Sequence, residues 1–434
     1  MLTGARAPAI ALVGALTMVA SACNGSGGDQ AANTQLKGQQ LEVVAVWSGE
    51  EQANFEQVIR RFENRTGAQV RFTSTGRNIA TELGPRLRAG DAPDVAILPQ
   101  PGLLGELARG RELKPVEAVA GTLVDENYAP VWRELGSVDG VLYGVWFKAA
   151  NKSTVWYRTK AFFDAGVAPP RTWHKLQEVS RRLDEKGITP LAMGARDGWT
   201  LTDWFENVYL RTAGPARYDQ LANRRLPWTD DSVKEALRTL GQVIGRPEWL
   251  LGGVEGALAT SFERSVVQTF GQPPMAAMTF EGSFVAANVA KETRAEVGTD
   301  ARFFEFPSVN ESQRSVIFGG DVAVLLGDSE ASRELIRFLA TPQAAEPWAE
   351  AGGFISPNRS VDPAAYPDLT TRQLARALTE PGVARFDLSD LVPASFGATN
   401  GQGMWKILQD WLRNPGDVDS TAAQLEAAAA AAGP

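Results

Sequence analysis

The chain has 434 residues, 44% of them hydrophobic and 22% charged, enough for two or three domains around sizeable cores. Its 43 basic and 51 acidic residues give a formal net charge of -8, well mixed along the chain, which argues against a nucleic-acid surface, where clustered Lys and Arg are rewarded. One Cys and one His exclude a disulfide framework, a Cys-rich zinc site and any site built on several His ligands.

The N-terminus reads as an address. Arg6 is the only charge in residues 1–22, and the apolar run from Ala9 to Ala20 suits a signal-peptide core but is too short to span a bilayer. Ala20, Ser21 and Ala22 then precede Cys23, the only Cys. This resembles the bacterial lipobox, with Ala20 where Leu is usual, and the resemblance implies a signal peptide over 1–22 and lipidation of Cys23. Residues 23–37 are polar and Gly-rich, and read as a lipidated flexible tether.

Beyond the tether, strands and helices alternate. Leu41 to Trp47 is a buried-strand pattern, and Glu50 to Thr66 carries a helical stripe (Phe55, Val58, Ile59, Phe62) that Gly67 ends. Gln69 to Ser74 reads as a strand, Ala80 to Ala89 as a helix and Asp94 to Leu98 as a strand. This order predicts a parallel sheet in an α/β fold, with ligands at the carboxyl ends of its strands. Val141 to Phe147 and Thr154 to Tyr157 are strand-like. Thr172 is placed to cap a helix over Trp173 to Lys186, whose first turn puts His174 at the surface, away from any triad. Thr189 to Met193 and Met275 to Phe280 read as strands, and Phe318-Gly319-Gly320-Asp321 as a connection into a strand over Val322 to Leu326. Helices follow over Glu330 to Leu339, Trp405 to Leu412 and Ala422 to Ala432.

Four stretches of these residues resemble the extracellular solute-binding proteins of ABC sugar importers, and specifically the maltose- and alpha-glucoside-binding-like lipoproteins: 47–70 (WSGEEQANFEQVIRRFENRTGAQV), 141–176, 189–210 (TPLAMGARDGWTLTDWFENVYL) and 318–360. The resemblance implies a two-lobed periplasmic-binding-protein fold with a hinge and an inter-lobe ligand cleft. Lobe 1 is then 38–148 plus 317–357, and lobe 2 is 149–316 plus 358–434. It also implies a binding protein rather than an enzyme. The protein would be a monomer without cofactor, metal or nucleic acid, anchored by lipid to the outer face of the cell membrane, that delivers a carbohydrate to permease subunits.

Sugars offer apolar C–H faces and rings of hydroxyls, so a site needs aromatic platforms beside charged or amide hydrogen-bonding groups. Asp197 and Trp199, in a predicted loop that enters a helix, have that composition, with Asp203 behind them; Thr200 or Thr202 is placed to cap the helix. Trp47, Glu50 and Glu51 end the first strand, although Ser48 and Glu51 also fit a capping box. Arg77 and Gln100 follow the next two strands of the sheet. Lys148 and Asn151 lie at the crossing between lobes that the resemblance implies, with Lys148 also able to pair with a lobe-1 acid. Glu281 and Phe284 close the candidate set in lobe 2, Phe284 standing where the family often has Trp, and Asp321 follows Gly319-Gly320 beside the hinge. The same fold could instead hold a polyol, a glycerophosphodiester, an amino sugar or a peptide. A secreted glycosidase would also pair carboxylates in an aromatic cleft.

Overall fold

The computed structural model describes residues 34–76, 79–378 and 383–433. Cys23, the signal-peptide pattern, most of the tether and Arg77 lie outside these residues. Strand β1 (Gln40–Ala45) pairs in parallel with β2 (Gln69–Ser74) and β3 (Val95–Leu98), Val43 facing both Phe72 and Val95. Helix α1 (Gly49–Thr66) joins β1 to β2 and buries Phe55, Val58, Ile59 and Phe62, the stripe read from the sequence. Helix α2 (Ile79–Ala89) leads to β3, and α3 (Pro101–Arg109) follows it.

Strand β4 (Gly144–Asn151) is buried along its whole length. Two residues later β5 (Thr154–Arg158) begins, and it belongs to another sheet, between β6 (Met278–Phe280) and β7 (Ala301–Glu305). The chain returns through β8 (Ser315–Leu325), antiparallel to β4 from Phe318↔Asn151 to Val324↔Gly144, with a register shift between Asp321 and Val322. The far end of β8 pairs with β3 and its near end with β9 (Val383–Phe386). The β4–β8 ribbon therefore ties two bodies together. One core gathers mainly from Leu36 to Ala149 and from Phe318 to Phe386, and the other from Val155 to Val309 and from Leu388 to Ala429. Val361, Tyr366, Leu374 and Phe386 sit in the first core, although they lie beyond position 357.

Four expectations need correction. Phe318 to Asp321 is the interior of β8, not a connection before it. Gly320 is needed there, because a Cβ would stand 2.5 Å from the Lys148 carbonyl oxygen and 3.1 Å from the Trp146 ring. Thr189 to Met193 is not a strand: Leu191 alone bridges to Leu250 and Met278, and Pro190 has no N–H to extend a ladder. The strand expected from Met275 starts only at Met278. The run from Val141 breaks at Tyr143, since Val141–Leu142 turns back on Ser137–Val138 before β4 starts.

Candidate functional site

Two lysines, one inside β4 and one just past its end, organise the seam between the cores. Lys148, almost buried, is ion-paired with Glu51 of α1 and stands 4.0 Å from Asp321 Oδ2 on β8. Its ammonium lies 5.2 Å from the Trp348 ring and 5.9 Å from the Trp47 ring. Lys152 is ion-paired with Asp387, 3.3 Å from Asp203 Oδ1 and 3.8 Å from Asp390 Oδ2. The ring of Trp199 is 5.8 Å from its ammonium.

Asp203, Glu206 and Asn207 come from one helix, α4 (Trp199–Ala213), which is buried on every side from Thr200 to Arg211. Gly198 opens it at φ 82°, pressed so closely on Trp405 that a Cβ would lie 2.5 Å from the Trp405 Cβ. The Thr200 and Thr202 hydroxyls do not cap the helix; they donate to the carbonyls of Gly194 and Trp199. Asn207 locks α4 to the hinge, its Nδ2 donating to the Lys152 carbonyl (2.8 Å) and its Oδ1 accepting from Ser153 Oγ (2.6 Å). Asp387 caps the short helix Leu388–Leu391 and accepts from Ser389 Oγ, while Glu206 accepts from the backbone N–H groups of Leu388 and Ser389.

This crowd of acids must share protons. Burial drives the Asp203 carboxyl up to about 8 against the pull of Lys152, and drives Glu281 and Glu206 well above the carboxylate range. Burial would raise Asp387 as well, but Lys152 and the hydrogen bonds it receives hold it down to about 2. The consistent arrangement is a chain: Glu281 donates to Asp203, Asp203 donates to Asp387, and ionised Asp387 faces Lys152. Asp203 Oδ2 and both Glu281 oxygens are buried and accept from no N–H or hydroxyl among the described residues. Asp390 is raised by burial and then by the charge of Asp387. Around Lys148, burial lifts Asp321 to about 6, with the ammonium opposing.

The structure thus brings together Trp47, Glu51, Lys148 and Asp321 at one end of the seam, and Trp199, Asp203 and Glu281 at the other. Asn151 bridges to the Glu281–Phe284 loop, its N–H donating to Ser283 Oγ while its own Nδ2 is buried without an acceptor. Phe284 packs edge-on to Phe262 and 6.0 Å from Trp199. Trp47 is a core ring among Phe55, Phe147 and Trp348. Glu50 does not pair with Lys148 or Lys152; it lies 3.8 Å from Lys291 on α5 (Val285–Glu292). Gln100, buried ahead of the helix Pro101–Arg109, leaves its Oε1 without a partner. Asp197 accepts from the Phe262 N–H at the start of another helix and pairs with Arg196, so part of its capacity is spent inside the fold. His174 is exposed beside Glu178.

Lys152, Glu206, Asp387 and Asp390 escaped the sequence reading. The spacing Asp203, Glu206, Asn207, Arg211 did mark one polar face of an otherwise apolar helix. Nothing in the sequence ties residue 387 to residue 152, which are joined only by the return of β9 onto β8.

Two bodies on a two-strand ribbon, with acids, lysines and aromatic rings along the seam, make a hinged binding protein. Comparison with known proteins agrees. The family model for bacterial extracellular solute-binding proteins matches residues 47–346. The chain is 34% identical over 411 residues to the osmoprotective compounds-binding protein GgtB of Synechocystis sp., covering 93% of this chain and 94% of that one. It is 32% identical over 401 residues to the alpha-glucosides-binding periplasmic protein AglE of Rhizobium meliloti, covering 89% and 86%. Among solved structures, the bacterial solute receptor AcbH superposes with a TM-score of 0.81 at 18% identity, covering 91% of this chain and 99% of that one. The chain belongs to the bacterial extracellular solute-binding protein family. Among the described residues no helix is long and apolar enough to cross a membrane.

Proposed function

We propose that the protein is the substrate-binding component of an ABC importer and that it captures a neutral carbohydrate, a glucoside or short oligosaccharide, along the Lys148–Lys152 seam. The lobes meet there, lobe 1 built on 38–148 plus 317–357 and lobe 2 on 149–316 plus 358–434, with Val361, Tyr366, Leu374 and Phe386 packed into the lobe-1 core. One observation carries the reading: Glu51, Asp321, Asp203, Glu206, Glu281, Asp387 and Asp390 surround two ammonium groups, with Trp199 at hand. Ionised members accept sugar hydroxyls, protonated members and lysines donate, and a ring covers a C–H face. Such an acid excess disfavours a glycerophosphodiester and admits, as a second reading, an amino sugar. Names of the relatives GgtB and AglE, an osmoprotectant binder and an alpha-glucoside binder, support a polyhydroxylated solute. Family membership favours binding over glycoside hydrolysis. Calorimetric titration against disaccharides, polyols, amino sugars, peptides and glycerophosphodiesters is the test, and a glucoside is expected to bind. Binding of a peptide or a glycerophosphodiester, and of no sugar in the panel, would overturn the reading.

We also propose that Cys23 anchors the mature protein through lipid, on the strength of Ala20-Ser21-Ala22 before a unique Cys. Cys23→Ser should release the protein into the medium or leave it unprocessed; membrane association unchanged in the variant would rule the anchor out.

A further inference from the structure

Away from the seam, two adjoining cavities of about 480 and 570 Å³ share Pro169, Pro170 and Arg171. They form a basic tract on an acidic protein. Arg171, Arg211 and Arg314 line the first against one acid, Glu305, and Lys175, Arg181 and Arg182 line the second against Glu178. Glu305 is already held by Arg314 through both its oxygens.

Arg211 is the unusual member. It is buried, yet no carboxylate pairs with it among the described residues. Its Nη1 donates to Asn207, its Nη2 to the carbonyls of Phe306 and Ser315, and its guanidinium lies 4.8 Å from the Phe306 ring. These contacts satisfy N–H groups but supply no counter-charge, and a buried cation without one is costly. Burial accordingly pulls Arg211 down to about 9, with Glu305 only partly opposing. Arg171, exposed at the shared rim, makes no ion pair among the described residues. Ser308 contributes a hydroxyl and Gln313 an amide to the same wall.

We infer that this cavity binds an oxyanion of the phosphate type, which Arg171 engages directly while the uncompensated charge of Arg211 holds it from behind. Phosphate is large enough to use the arginine fork, and the cavity is large enough to admit it with its hydration or with an attached alcohol. The site is independent of the carbohydrate cleft and stands or falls separately from it.

Phosphate stabilises folded proteins in general by being excluded from their surfaces, so a melting shift is a poor readout. Calorimetric titration of the full chain with inorganic phosphate at constant ionic strength avoids that effect. Wild type and Arg60→Glu, a charge reversal on α1, should show one saturable site, and Arg171→Glu should weaken it at least tenfold. No saturable heat in wild type, or equal binding by Arg171→Glu, would overturn the inference. Sedimentation with phosphatidylglycerol vesicles separates the sources: binding lost in Arg171→Glu assigns a lipid headgroup, and no binding to vesicles assigns a free solute.

Discussion

Asp203 holds a proton that an ordinary Asp loses near 3.8, because burial beside Asp387 and Glu281 moves its ionisation to about 8. Between those two values the folded protein binds more protons than the unfolded chain, so stability falls as pH rises through the window. Asp321, at about 6, adds the same sign over a narrower range. Asp387, held at about 2, has the opposite sign and matters only at more acid pH. The melting temperature of the ligand-free protein should therefore drop from about pH 5 to about pH 8.5. Asp203→Asn should flatten the upper part of that slope, because the amide still donates to Asp387 but cannot ionise. Melts followed by circular dichroism decide the matter, and a wild-type profile that is flat across this range would dismiss the shared-proton chain. Trp199 allows a second test. It is half-buried against Phe262 and Phe284, with one ring contact to Lys152. If the ring stacks on a sugar, Trp199→Ala should lose about 1–3 kcal/mol of binding, roughly tenfold to a hundredfold in affinity. Titration beside thermal melts separates platform from packing: a destabilised variant with unchanged affinity means the ring serves only the fold.

At the scale of elements, the β4–β8 ribbon does two jobs. It carries Lys148 and Asp321 face to face, at the point where the register shifts, and it joins the cores. Gly320 lets the two backbones approach. Gly320→Ala would force its Cβ against the Lys148 carbonyl, with backbone on one side and the Trp146 ring on the other, so neither neighbour can swing away. A loss of about 1–3 kcal/mol of stability is expected, typical of overpacking. Affinity for the ligand should weaken too, since Lys148 moves with its carbonyl. Chemical denaturation and titration of the same preparation measure both, and a variant as stable as wild type would show the ribbon to be looser than described. Helix α4 works differently. Buried all round, it delivers Trp199 and Asp203 to the seam while Arg211, eight residues after Asp203, reaches the hinge-side end of β8 at Ser315.

For the whole molecule, a ribbon between two cores permits hinge closure, and a ligand drives it only by its differential affinity for the closed state. Glu50 and Lys291, both half-exposed and 3.8 Å apart, are the kind of contact that closure makes and opening breaks, worth about 0–1 kcal/mol. Solution scattering with a saturating ligand should give a smaller radius of gyration than without it; an unchanged radius despite proven binding would remove closure from the mechanism.

The sequence by itself determined the parallel β1–β2–β3 unit, because local apolar periodicity and Gly67 need no tertiary partner to be read. It also pointed to Lys148, Asp203, Glu281 and Asp321, since charged residues in strand-end loops or among apolar runs stand out along a chain. Tertiary structure alone decided that Phe318 to Asp321 extends as strand, because the partner that straightens Gly319-Gly320 is β4, about 170 residues earlier in sequence. It alone decided that Asp197 braces a helix and that Trp47 fills a core, since burial depends on what packs from elsewhere. The pairing of Lys152 with Asp387 and Asp390 was equally out of reach. Charge attraction acts through space, and only the folded chain brings positions 152 and 387 within hydrogen-bonding distance.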